Sequence, residues 1–115
     1  GEGNQVRHYT YGGDLAKGIV TCMEHPKALN EDFNISTAES TTVLQLAEII
    51  WRKIKGGDVP FRHVSDEAYE YDVQKRVPSV EKARNVLGFE CTTTLDQMLD
   101  EVIPWIESAL DEGII

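Results

Sequence analysis

The chain has 115 residues, a formal net charge of -9 and 41% hydrophobic residues, enough for one domain with a modest core. So acidic a balance excludes nucleic acid and anionic membranes as partners, because phosphate backbones are bound by clustered Lys and Arg. A small phosphorylated ligand held by one or two placed arginines stays open. No run nears the roughly 18–20 apolar residues of a membrane span, and the first residues hold no apolar secretory segment. Cys22 and Cys91 stand far apart in no C-x-x-C pattern, so a cytoplasmic protein with reduced, inert thiols is expected.

Residues 6–11, VRHYTY, are aromatic and β-branched and predict a short strand. Gly12 and Gly13 should break it, and Asp14 should cap a helix carrying Leu15, Ile19, Cys22 and Met23 at helical spacing, stopped at Pro26. Residues 32–36, DFNIS, predict a second strand. Thr42 and Gln45 then form a capping box, in which hydroxyl and amide each satisfy a free backbone N–H. The helix behind it lines up Val43, Leu46, Ala47, Ile50 and Ile54 and should end at Gly56. Residues 59–64, VPFRHV, predict a third strand, and 65–78 are acidic, aromatic and irregular. Ser79 should cap a short helix closed by Gly88. Thr94 and Gln97 make a second capping box, before a helix with Leu95, Met98, Leu99, Val102, Ile106 and Leu110 on one stripe; Pro104 inside it predicts a kink or an early break. The expected fold is therefore one compact α/β (α+β) unit over residues 1–115, with about four helices and three short strands.

Tyr71 and Lys75 stand in the Y-x-x-x-K spacing of a dehydrogenase pair. That pair works only when one helical turn brings the Lys charge beside the phenol and lowers its pKa. Val73, Val77 and Pro78 argue against a helix there, so the match reads as accidental and no catalytic residue is assigned. GEGNQV at the start has two glycines and no strand before it, and the Gly12-Gly13-Asp14 turn is shorter than a pyrophosphate loop, so no cofactor-binding residue is assigned either. His8, His25 and His63 show no ligand spacing, and the carboxylate-rich stretches lack the calcium pattern; no metal is expected. Tyr9 and Tyr11 share one strand face, where core packing and stacking on a base or sugar both suit them.

Three stretches in order carry a family resemblance. RHYTYGGDLA, FNIST…TTVLQLAEII and SVEKARNVLGFE…TTLDQMLDEVIPWI resemble the arginine motif, the following strand–helix pair and the tail of extended short-chain dehydrogenases/reductases, the NAD-dependent nucleotide-sugar epimerases and dehydratases. The resemblance spans nearly the whole chain. It implies that the glycine-rich cofactor loop and the catalytic Y-x-x-x-K lie upstream, and that this chain is the C-terminal lobe that grips a UDP-, GDP- or dTDP-linked sugar. Arg7 matches the arginine that reaches the diphosphate. Many members carry a second arginine where counting back from Lys82 and Ala83 finds Tyr69, with Arg76 nearby but out of register. The substrate-binding set so implied is Arg7, Tyr9, Tyr69 and Arg76.

By this reading the chain is a segment, inactive alone, that binds no cofactor itself; NAD belongs to the full-length family. Its first helix and the 32–36 stretch would pack on the cofactor-binding Rossmann half. Without that half a bare apolar face should drive homo-oligomerisation, as a dimer. A stand-alone, non-catalytic interaction or oligomerisation module derived from the same fold, and a two-chain enzyme whose cofactor half is a separate polypeptide, are the other readings.

Overall fold

The computed structural model describes all 115 residues. In chain order it has strand β1 (Val6–Arg7), helix α1 (Gly12–Glu24), a 3-10 turn (Pro26–Ala28), strand β2 (Thr41–Thr42), helix α2 (Val43–Lys55), a π-type turn (Ala83–Leu87) and helix α3 (Leu95–Asp111). The α/β class and the four helical segments match expectation. The strands differ: β1 is confined to two residues, and neither 32–36 nor 59–64 forms a strand. A strand exists only where a second one supplies its ladder, and the bonds made in and beside these stretches involve side chains instead. Asn34 donates to the Ser79 carbonyl at 3.1 Å, and Thr37 N–H donates to Thr10 Oγ1 at 3.1 Å. Trp51 Nε1 donates to the Val59 carbonyl at 3.0 Å, while its ring meets Phe61 edge-on.

The helix ends obey local chemistry. Both capping boxes form, at Thr42/Gln45 and Thr94/Gln97. Gly56 closes α2 and Gly88 closes the π-type turn. Asp14 does not cap α1 as expected. The helix starts two residues earlier, at Gly12, with extended Tyr11 before it, and Asp14 is buried, its Oδ2 accepting the Thr93 N–H at 2.8 Å. Nor does α3 break at Pro104, whose missing N–H removes only one bond; the helix stays docked on both sides of it by buried Leu95, Leu99 and Ala109.

Packing is tight but sparse. Gly18 of α1 lies so close to Ile35 and Phe89 that a Cβ there would strike both side chains. The 3-10 turn rests on the π-type turn through buried Ala28 and Ala83, and Lys82 pins the approach by reaching Glu31 and Asp32 at 2.8 and 3.0 Å and Phe33 from above its ring. Lys53 of α2 bridges to Asp96 and Asp100 of α3 at 2.8 and 2.6 Å. Yet only Ala28, Ala83, Leu87, Leu95, Leu99 and Ala109 are buried apolar residues. The radius of gyration is 17.1 Å, where a compact domain of this length has about 13 Å.

Candidate functional site

The site is built on β1. On one side β1 pairs antiparallel with β2, Val6 opposite Thr42 and Arg7 opposite Thr41. On the other side residues 74–76 run parallel to it: Val6 N–H donates to the Gln74 carbonyl at 2.8 Å and Arg76 N–H to the Val6 carbonyl at 3.0 Å. This second pairing joins chain positions about 70 residues apart and sets Arg76 beside Arg7.

The two arginines line one surface cavity of about 420 Å³ with His8, Tyr9, Val43 and Pro78. Three of the four residues expected at a ligand, Arg7, Tyr9 and Arg76, are thus brought together. Tyr69 is not on this cavity. It lines a smaller one of about 280 Å³ that also includes Arg7, with Gln5 and Asp72, and its ring is largely exposed. Counting along the chain sets Arg76 out of register; the parallel pairing places it at the cavity all the same.

The guanidinium of Arg7 is held at both ends. Nη1 donates to the Val6 carbonyl at 3.0 Å, and Nη2 meets Asp72 Oδ1 at 3.3 Å. Gln5 Nε2 donates to the other Asp72 oxygen at 2.6 Å. His8 bonds the neighbouring loop, Nδ1 to the Thr37 carbonyl at 2.7 Å and Nε2 to Ser40 Oγ at 2.8 Å. Because a carbonyl only accepts, Nδ1 carries the proton. Sequence reasoning misses Gln5 and Asp72, since nothing in a stretch of solvated carboxylates distinguishes the one that crosses to Arg7.

The chemistry available here is the gripping of an anion by two guanidinium groups beside an aromatic ring. Tyr71 and Lys75 lie in a turn and an extended segment, not on one helical face, and Tyr71 is exposed. Of the two glycines that open α1, Gly13 is covered by the Tyr11 ring, 2.5 Å from where a Cβ would stand, while Gly12 is open. No three His, Cys, Asp or Glu side chains are grouped to hold a metal. Cys22 and Cys91 are free and half-buried, and burial pushes the Cys91 thiol up, away from the reactive thiolate.

Comparison with known proteins gives one direction. The family described as GDP-mannose 4,6 dehydratase matches residues 1–102. The chain is 27% identical over 112 residues to UDP-glucuronic acid decarboxylase 1 of Xenopus tropicalis, covering 96% of this chain and 25% of that protein. It superposes on the crystal structure of UDP-glucose 4-epimerase with UDP-glucose from Thermotoga maritima with a TM-score of 0.80 and 31% identity, covering 96% of this chain and 34% of the other. The Bordetella bronchiseptica enzyme WbmF, solved in complex with NADH, gives a TM-score of 0.69 and 27% identity, covering 96% and 32%. The chain therefore spans only a quarter to a third of the length of these relatives.

Proposed function

We propose, from the premise that this chain belongs to the GDP-mannose 4,6-dehydratase family of NAD-dependent nucleotide-sugar epimerases and dehydratases, that it is the segment that grips the nucleotide-diphosphate sugar. The observation that carries this is the cavity shared by Arg7, Arg76 and Tyr9. Two guanidinium groups suit the charges of a diphosphate, and a tyrosine beside them suits stacking on the base or sugar. The chain is inactive alone in this reading, and NAD is held by polypeptide outside these residues, since no Gly-rich pyrophosphate loop stands between a strand and a helix here. No helix is long and apolar enough to cross a membrane, and the free, half-buried thiols suit the reducing cytoplasm.

The test is titration of the folded protein with UDP-, GDP- and dTDP-linked sugars followed by amide NMR. Shifts centred on residues 6–9 and 74–78 are expected with at least one nucleotide, and Arg7→Ala should weaken that binding by roughly ten- to a hundredfold, the worth of a charge-assisted hydrogen bond. Silence with every sugar nucleotide would sink the reading. A stand-alone interaction module would then be favoured, a role suited to the apolar side chains left exposed along α1.

A further inference from the structure

We propose that Asp72, braced by Gln5, is the positioning residue for Arg7: it aims the guanidinium so that its unused N–H groups face ligand phosphate oxygens. This rests on the reading above, that the Arg7 cavity takes a nucleotide diphosphate.

A guanidinium carries five N–H groups. Arg7 commits one to the Val6 carbonyl and one to Asp72, so three remain for a ligand. The ion pair therefore orients the fork without exhausting it. Both side chains are largely shielded from water, with 24% and 21% of their surface exposed, so the pair is less screened than the surface pairs that contribute little. Its geometry is fixed from behind, because Gln5 Nε2 holds the second Asp72 oxygen at 2.6 Å.

Gln5 supplies an independent observation. Its Oε1 is buried and has no hydrogen-bond partner, a state that folded proteins ordinarily avoid. Turning the amide over would set that oxygen against the Asp72 carboxylate, so the amide is locked by the carboxylate and its own oxygen is stranded. The local packing thus favours a fixed Asp72 over a satisfied Gln5. Nothing in residues 1–11 itself requires a carboxylate at this place; what Asp72 touches is the one arginine that lines both cavities.

Substitution separates orientation from charge. Asp72→Asn keeps an acceptor for Arg7 and presents an N–H₂ toward Gln5, whose amide can then turn and use its stranded oxygen. Asp72→Ala removes acceptor and brace together. In calorimetric titrations of the full chain, with UDP and uridine as probes, Asp72→Ala should weaken UDP by about tenfold or more. It should leave uridine unchanged, and Asp72→Asn should restore UDP affinity to within about threefold of wild type. A folded Asp72→Ala protein that binds UDP as wild type does, or an Asp72→Asn protein as weak as the alanine variant, overturns the proposal. Should the alanine variant fail to fold, Gln5→Leu takes its place: a selective loss of UDP affinity supports the brace, and an unchanged affinity overturns it. Wild-type protein that binds UDP no better than uridine defeats the proposed function and this inference together. Loss of UDP in Arg7→Ala alongside a silent Asp72→Ala defeats only the inference.

Discussion

Tyr11 does at one position what no periodicity announces. Its backbone stands at the N-terminal boundary of α1, its ring covers Gly13, and its hydroxyl donates to Glu101 on α3, tying the start of one helix to the middle of another. That bond, and then the nearby Glu101 charge, raise the Tyr11 pKa above its ordinary value. A raised pKa means that the folded state favours the protonated phenol. The contribution to stability is therefore complete below the unfolded value of about 10. It is lost as pH rises through the higher folded value. Denaturant midpoints of wild type and Tyr11→Phe should thus differ at pH 8 and converge in more alkaline solution, the wild type falling faster; parallel curves across that range would remove the Tyr11–Glu101 bond from the account. The pair is exposed, so a small difference is expected. Arg7 and Arg76 contrast in legibility at this scale. Arg7 is visible in the sequence through its motif, whereas Arg76 reaches the cavity only through the pairing of 74–76 with β1.

Elements were legible where their chemistry is short-range. A capping box needs residues three apart, and both are found, Thr94 Oγ1 accepting from Gln97 N–H at 3.2 Å and Thr42 Oγ1 from Gln45 N–H at 3.0 Å. The glycine stops at 56 and 88 are local in the same sense. Strands depend on a distant partner, so DFNIS and VPFRHV, strand-like in composition, stay irregular, while Thr41-Thr42, legible only as the lead into a helix cap, becomes β2 because Val6 and Arg7 lie opposite. The same distance rule hid the Asp14–Thr93 bond behind an expected cap. α3 depends on its first turn, where Leu95 is buried and Lys53 reaches across from α2. Replacing Thr94 by Ala should cost about 1 kcal/mol by freeing an N–H of that turn. Thermal unfolding would record this as a drop of a few degrees or more in Tm, and a midpoint equal to wild type would mean that α3 is held by its packing alone.

At the scale of the molecule, the periodic stripes and the core part company. Leu15, Ile19 and Met23 recur on α1 as a buried face should, yet they are 40%, 52% and 80% exposed, with Val20 beside them at 49%. Periodicity reports which face a helix is made to bury, not whether the covering element is at hand. With a radius of gyration of 17.1 Å against about 13 Å for a compact chain of this length, the 115 residues leave a layer of apolar surface uncovered. Water contact along such a patch favours association, and a two-fold dimer is the simplest closed arrangement. Sedimentation velocity should therefore show a concentration-dependent dimer. Ile19→Glu with Met23→Glu should shift it to monomer without loss of helical signal, because both side chains already face outward and a like charge on each copy opposes contact. The Arg7 cavity is lined by neither of these side chains, so UDP titration of the double variant should match that of wild type. A wild-type protein that stays monomeric at high concentration would show that α1 tolerates its bare face, and a charged variant that still dimerises would move the contact elsewhere, to the exposed Trp105, Leu110 and Ile114 of the C-terminal end.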